Sequence, residues 1–128
     1  VVGRIGGAGE RTLGFYNHYD VQPADPLDEW VSDPWAAEVR DGRIWGRGTA
    51  DNKGNIAARI APVDAWRAVV GELPLSLLFA VEGEEEVGSP NLGHFADAHR
   101  EEIWTDGWIW EFGGVDIDGR PLIHLGLK

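Results

Sequence analysis

The chain has 128 residues, 43% of them hydrophobic, which suits one globular domain with a real core and excludes a disordered composition. Acidic residues outnumber basic ones 22 to 11, a formal charge of −11, so nucleic acid and anionic membrane surfaces are not expected partners, whereas cations are. With no cysteine, any metal must be held by histidine and carboxylates, leaving zinc, manganese, cobalt or calcium open, and no run of 18 apolar residues exists to span a membrane.

The opening "VVGRIGG" lacks an initiator Met and reads as the middle of an element; "PLIHLGLK" stops on a strand pattern. Both ends look cut. No signal peptide is legible, and a cytoplasmic setting is expected, although a chain that starts this way says little about a leader. The run "RTLGFYNHYD" reads as a strand with a polar end, after which Pro23 and Pro26 force an extended loop. "AAEVRDGRIWGRG" reads as a hairpin turning at Asp41-Gly42. After the glycine-rich loop "GRGTADNKG", Ile56, Ile60, Val63, Trp66 and Val70 mark one face of a helix from about Lys53 to Val70, with Pro62 expected to kink it. "LPLSLLFAVEG" suits a central strand covered on both faces. Ser89-Pro90 offers an N-cap and first-turn proline for a helix carrying Leu92, Phe95, His99 and Ile103 along one side. "GWIWEF" and "PLIHLGL" read as two last strands, with a turn at Asp118-Gly119. Strands alternating with two helices argue for an α/β sandwich, and the acidic residues of interest follow strands, where open α/β sheets build their sites.

Four segments carry candidate chemistry. His18 and Asp20 stand two apart at a strand end, so they share a face. A metal-bound imidazole usually gives its other N–H to an oxygen, so the pair reads either as a ligand with its support or as two polar residues acting separately. "VEGEEEVGS" gathers Glu82, Glu84, Glu85 and Glu86 behind the most hydrophobic run. Such runs are usually solvated, but like charges held this close are relieved by a cation. Neighbouring residues on extended backbone point opposite ways, so one glutamate could bind metal while the next handles a proton. Asp51 precedes a helix and reads as an N-cap or a ligand, and Glu111 as a strand-end charge or a ligand. Lys53-Gly54 lacks the spacing of a phosphate loop. His94, His99 and His124 have no carboxylate at a suggestive spacing and read as structural.

Taken in order, "NHYDVQP", "DGRIWGRGTADNKG", "VEGEEEVGS" and "WEFGGV" resemble the M20 family of co-catalytic metallopeptidases, over Leu13 to Lys128. "HYDVQP", Trp30 and "DPW" look most like its dipeptidase branch. The resemblance implies a three-layer zinc-exopeptidase-like α/β sandwich with a mixed sheet, here incomplete. It implies two divalent metal ions, zinc first, with Mn²⁺ or Co²⁺ as alternatives. Carried over by motif, His18 matches a metal ligand, Asp20 its supporting aspartate, Asp51 the bridging aspartate, Glu86 and Glu111 further ligands, and Glu85 the general base. It also implies a cis peptide at Asp51-Asn52. Asn17 stands where the family usually has glycine, a departure expected to be tolerated.

The family's members are much longer. Residues 1–128 would thus be part of a metal-binding catalytic domain, without the lid and dimerisation domain and without a late histidine ligand. The implied activity is hydrolysis of an amide in a small peptide, by a dipeptidase or carboxypeptidase, through a metal-acidified water whose proton Glu85 takes and then returns to the leaving amine. The near alternative is an N-acyl amino acid deacylase; from another class, a non-catalytic metal-binding fragment or inactive relative. A homodimeric parent stays open.

Overall fold

The structure, a computed structural model, describes residues 1–111 and 114–122. Its main sheet has four strands in the order β1 (Val2–Ile5), β5 (Ser76–Glu82), β2 (Thr12–His18), β6 (Gly107–Ile109). β1 runs antiparallel to β5, while β2 is parallel to both β5 and β6, so the sheet is mixed. The α/β architecture with a mixed sheet is therefore as the sequence suggested.

The continuous apolar run becomes the interior strand β5 for a packing reason. Neighbouring residues Leu77 and Leu78 point to opposite faces and are 6% and 0% exposed, so both faces are covered there. Burying a leucine this fully stabilises by about 1.5–3 kcal/mol. Helix α1 (Asn55–Val69) lies on the face that carries Phe15 and Leu77, with Val63 packed among them and Leu73. Helix α2 (Leu92–Ala98) flanks the opposite face, where Leu92 and Phe95 line a cavity of about 380 Å³ with Tyr16 and Ala80. Gly14 on β2 has no room for a side chain, because a Cβ would meet the Trp108 ring of β6 at 2.5 Å.

The hairpin is formed by β3 (Glu38–Arg40) and β4 (Arg43–Trp45) around a two-residue turn. Asp41 and Gly42 have φ of 52° and 70°, the left-handed pair such a turn needs. A second short pair, β7 (Gly114–Val115) and β8 (Pro121–Leu122), is joined through the Asp118-Gly119 turn. The rest of "PLIHLGL", His124 included, and Phe112 lie outside the described residues.

Four local expectations change. α1 turns in Ile56, Arg59 and Val63, while Ile60, Trp66 and Val70 stay 44%, 44% and 59% exposed. The sheet contacts a narrower stripe than the apolar pattern marks. Ser89 is not an N-cap. It sits at φ 52° with its hydroxyl turned to Glu82 at 2.8 Å, and α2 starts after Asn91, which holds the N-cap position without a side-chain cap bond and donates its amide to Glu84. α2 ends at Ala98, leaving Ile103 beyond it, although Phe95 and His99 still stack at 4.6 Å. β6 ends at Ile109, two residues before Glu111.

Among the described residues, no helix is long and apolar enough to cross a membrane. The edge around β6 nonetheless exposes Trp108, Ile109 and Trp110 at 39%, 43% and 46%, next to the open groove between α1 and the sheet. An apolar sheet edge of this kind favours association. The 128-residue polypeptide is expected to self-associate with rising concentration; a constant monomer mass by light scattering would contradict this.

Candidate metal centre

The parallel strands β2, β5 and β6 all run toward one edge of the sheet, and the candidate residues leave from that edge. His18 ends β2, with Asp20 just beyond it. The turn after β5 carries Glu85 and Glu86, Glu111 follows β6, and Asp51 enters from a wide turn, Thr49–Gly54, that leads into α1. Asp51 departs from helical angles (φ −114°, ψ 97°), and its peptide to Asn52 is cis. Gly54 occupies the N-cap position of α1, so Asp51 is not used as its cap.

His18 is the centre of the cluster, its side chain 1% exposed. Nδ1 faces Asp20, 3.1 Å from its carbonyl oxygen and 3.3 Å from Oδ1. The Asp20 carbonyl is the hydrogen-bond partner of Nδ1, while Asp20 Oδ1 is buried and makes no hydrogen bond, and Nε2 is turned to the other carboxylates. Nε2 lies 2.9 Å from Asp51 Oδ1, 3.1 Å from Glu111 Oε2 and 3.7 Å from Glu85 Oε2. One atom each from His18, Asp51 and Glu111 fall within 4.8 Å of one another.

Charge in this cluster is unbalanced. Burial pulls the His18 pKa down, but Glu111, the Asp20 carbonyl, Asp51 and Glu85 outweigh it and the net direction is up. Glu111 is pushed up by burial first; His18 opposes that, while Glu85 and Asp51 add to it. Three carboxylates share one imidazole, so the cluster is short of positive charge. A nitrogen and two carboxylate oxygens at this spacing match the donor set of a zinc-type ion, and the excess negative charge is what such an ion would offset. The residues fit the metal. The Asp51 side chain is 71% exposed, so the site opens to solvent there.

Glu86 is placed differently. Its carboxylate accepts from the Gln22 backbone N–H at 3.2 Å and from Gln22 Nε2 at 3.0 Å, and its own N–H donates to Asp20 Oδ2 at 3.0 Å. It stands beside the His18–Asp51–Glu111 group and contributes no atom to it.

Several residues that hold the site were given no such role from the sequence. Glu82 Oε1 accepts from the Tyr16 hydroxyl and from Ser89 Oγ, which pins both ends of the turn that carries Glu85 and Glu86. Burial and the Glu82 hydrogen bond push the Tyr16 pKa up, so its hydroxyl stays a donor. Glu84 accepts from Asn91 at 3.0 and 2.9 Å and closes the same turn. Asn17, Asn52 and Arg59 pack behind Glu111. The one signal available was an arginine within the inward stripe of α1. His99 has a carboxylate after all, Glu102 at 3.3 Å, but this pair lies in the α2 region away from the cluster.

A histidine and carboxylates gathered at the strand ends of a mixed α/β sheet define a candidate metallohydrolase centre. The profile of "Peptidase family M20/M25/M40" matches residues 14–119, and the chain belongs to that family. It is 41% identical over 105 residues to the Beta-Ala-His dipeptidase of Homo sapiens, covering 82% of this chain and 19% of that protein. It is 46% identical over 82 residues to the succinyl-diaminopimelate desuccinylase of Dechloromonas aromatica, covering 64% and 22%. Its fold matches an M20 family metallo-carboxypeptidase from Sulfolobus solfataricus with a TM-score of 0.87 at 38% identity, over 93% of this chain and 27% of that one. The chain thus spans about a fifth to a quarter of the length of these relatives.

Proposed function

We propose that the chain supplies a metal centre and a general base to a hydrolase that cleaves the amide bond of a dipeptide or of a peptide's C-terminal residue. The observation that carries this reading is His18 Nε2 within 3.1 Å of both Asp51 and Glu111, with Glu85 Oε2 at 3.7 Å. Divalent metal, zinc first, would be held by His18, Asp51 and Glu111, with Asp51 and Glu86 available to a second ion; bound there, it would acidify water and polarise the substrate carbonyl. Asp20 holds the His18 tautomer that leaves Nε2 free. Glu85, beside the ligands and not among them, takes the proton of the attacking water and delivers it to the departing amine nitrogen. Tyr16, Ser89 and Glu82 keep Glu85 at that distance through the anchored turn.

The 46% identity to a desuccinylase supports a second reading, cleavage of an N-acyl amino acid by the same residues. Hydrolysis of dipeptides and of N-acyl amino acids, with Zn²⁺, Co²⁺ or Mn²⁺ added to the longest natural chain carrying this sequence, separates the two. Dipeptide turnover at least tenfold above N-acyl turnover is expected. The reverse ranking favours the deacylase, and no turnover of either with metal bound would make the chain part of a non-catalytic relative.

A further inference from the structure

We propose that a line of side chains through two buried asparagines, Arg59–Asn17–Asn52–Glu111, sets the orientation of Glu111 toward metal, making Asn17 and Arg59 positioning residues of the centre. This rests on the reading of His18, Asp51 and Glu111 as metal ligands.

Arg59 reaches from α1 and donates to Asn17 Oδ1 and to the Tyr16 carbonyl through Nη1, and to the Trp110 carbonyl at 2.8 Å through Nη2. Asn17 Nδ2 donates to Asn52 Oδ1. Asn52 Nδ2 donates at 2.7 Å to Glu111 Oε2, the oxygen that also stands 3.1 Å from His18 Nε2. Asn17 and Asn52 are 0% and 1% exposed, so water does not compete for either amide.

The direction of this line is forced by its ends. A guanidinium has donors only, so Asn17 must turn its oxygen to Arg59 and its nitrogen to Asn52. Asn52 must then accept with its oxygen and donate with its nitrogen. Ionised Glu111 accepts only, which completes the line. Each amide is polarised by the one before it, so the guanidinium's charge is felt at Glu111 without direct contact. One lone pair of Oε2 is taken by Asn52, and the other is aimed at the space shared with His18 Nε2. Asn52 also neighbours Asp51, so holding its side chain holds the backbone that presents a second ligand.

The test is Asn17→Asp in the longest natural chain carrying this sequence. The carboxylate keeps the shape and still accepts from Arg59, but it has no donor for Asn52. Asn52 then rotates its nitrogen toward position 17 and its oxygen toward Glu111. Two readouts apply: Co²⁺ affinity by chelator competition, and the Co²⁺ d–d absorption spectrum. A loss of about 10–100-fold in affinity with an altered spectrum is expected, the size typical of removing a partner that orients a ligand. Near-ultraviolet circular dichroism checks the fold, and if Asn17→Asp does not fold, Asn17→Ala is judged by the same criteria. A folded variant with affinity within about threefold of the unaltered protein and an unchanged spectrum overturns the relay. His18→Ala is the control. If it loses metal while Asn17→Asp keeps it, only the relay is wrong; if it binds Co²⁺ undiminished, the metal-centre reading fails and the relay with it.

Discussion

Replacing Glu85 by glutamine is expected to lower amide hydrolysis by about 10² to 10⁴-fold while metal content stays close to that of the unaltered protein. The amide has the size of the carboxylate but cannot accept the water's proton. Glu85 suits this role by position: its Oε2 is 3.7 Å from His18 Nε2, while Asp51 and Glu111 stand at 2.9 and 3.1 Å. It stands beside the His18–Asp51–Glu111 group, to which it contributes no atom, so its carboxylate is left for a proton. Its turn is tied down by Tyr16 and Ser89 on Glu82, so the variant should fold as before. The measurement is steady-state turnover with metal analysis on the longest natural chain carrying this sequence. Near-normal turnover would remove Glu85 from the role. Loss of metal in place of turnover would mean that Glu85 and Glu86 have exchanged duties.

Zinc titration of the 128-residue polypeptide should show one tight site and one far weaker. His18, Asp51 and Glu111 already stand within 4.8 Å of one another, and three protein ligands plus water make a complete catalytic zinc shell. A second ion would be left with Asp51 and Glu86 of the proposed ligands, and Glu86 would first have to leave Gln22. His18→Ala should abolish the tight site, because it removes the nitrogen donor of the described cluster and the group around which the carboxylates gather. Asp20→Asn should cost less, on the order of 10–100-fold at most, since it removes the charge 3.3 Å from Nδ1 but keeps the ligand and the Asp20 carbonyl that faces Nδ1. Calorimetry decides both. Two tight sites of similar affinity, or a tight site that survives His18→Ala, would contradict the assignment. With one ion held weakly, this polypeptide is also expected to turn over dipeptides little, if at all.

Much of this protein was legible along the chain because it is local. Asp41-Gly42 fixes the hairpin by its own backbone preference, and the uninterrupted run before Glu82 can be satisfied only inside a sheet. The histidine, aspartate and glutamate motifs, in their order, point to the family and to His18, Asp51, Glu85, Glu86 and Glu111 as candidates. What tertiary structure decided is which of these groups meet. Asp51 comes within 2.9 Å of His18 across 33 residues of chain, and Asn52 meets Glu111 across 59, separations at which no periodicity carries a signal. The same holds where local signals misled. Ser89 and Asn91 have the chemistry of helix caps, but their side chains are turned to Glu82 and Glu84, and Asn91 at the N-cap position makes no cap hydrogen bond. α1 carries a broad apolar stripe, yet the sheet covers only the part around Ile56 and Val63 and draws Arg59 inward with them. A side chain's partner is set by what the fold brings beside it, and for a buried hydrogen bond that neighbour is seldom a neighbour in sequence.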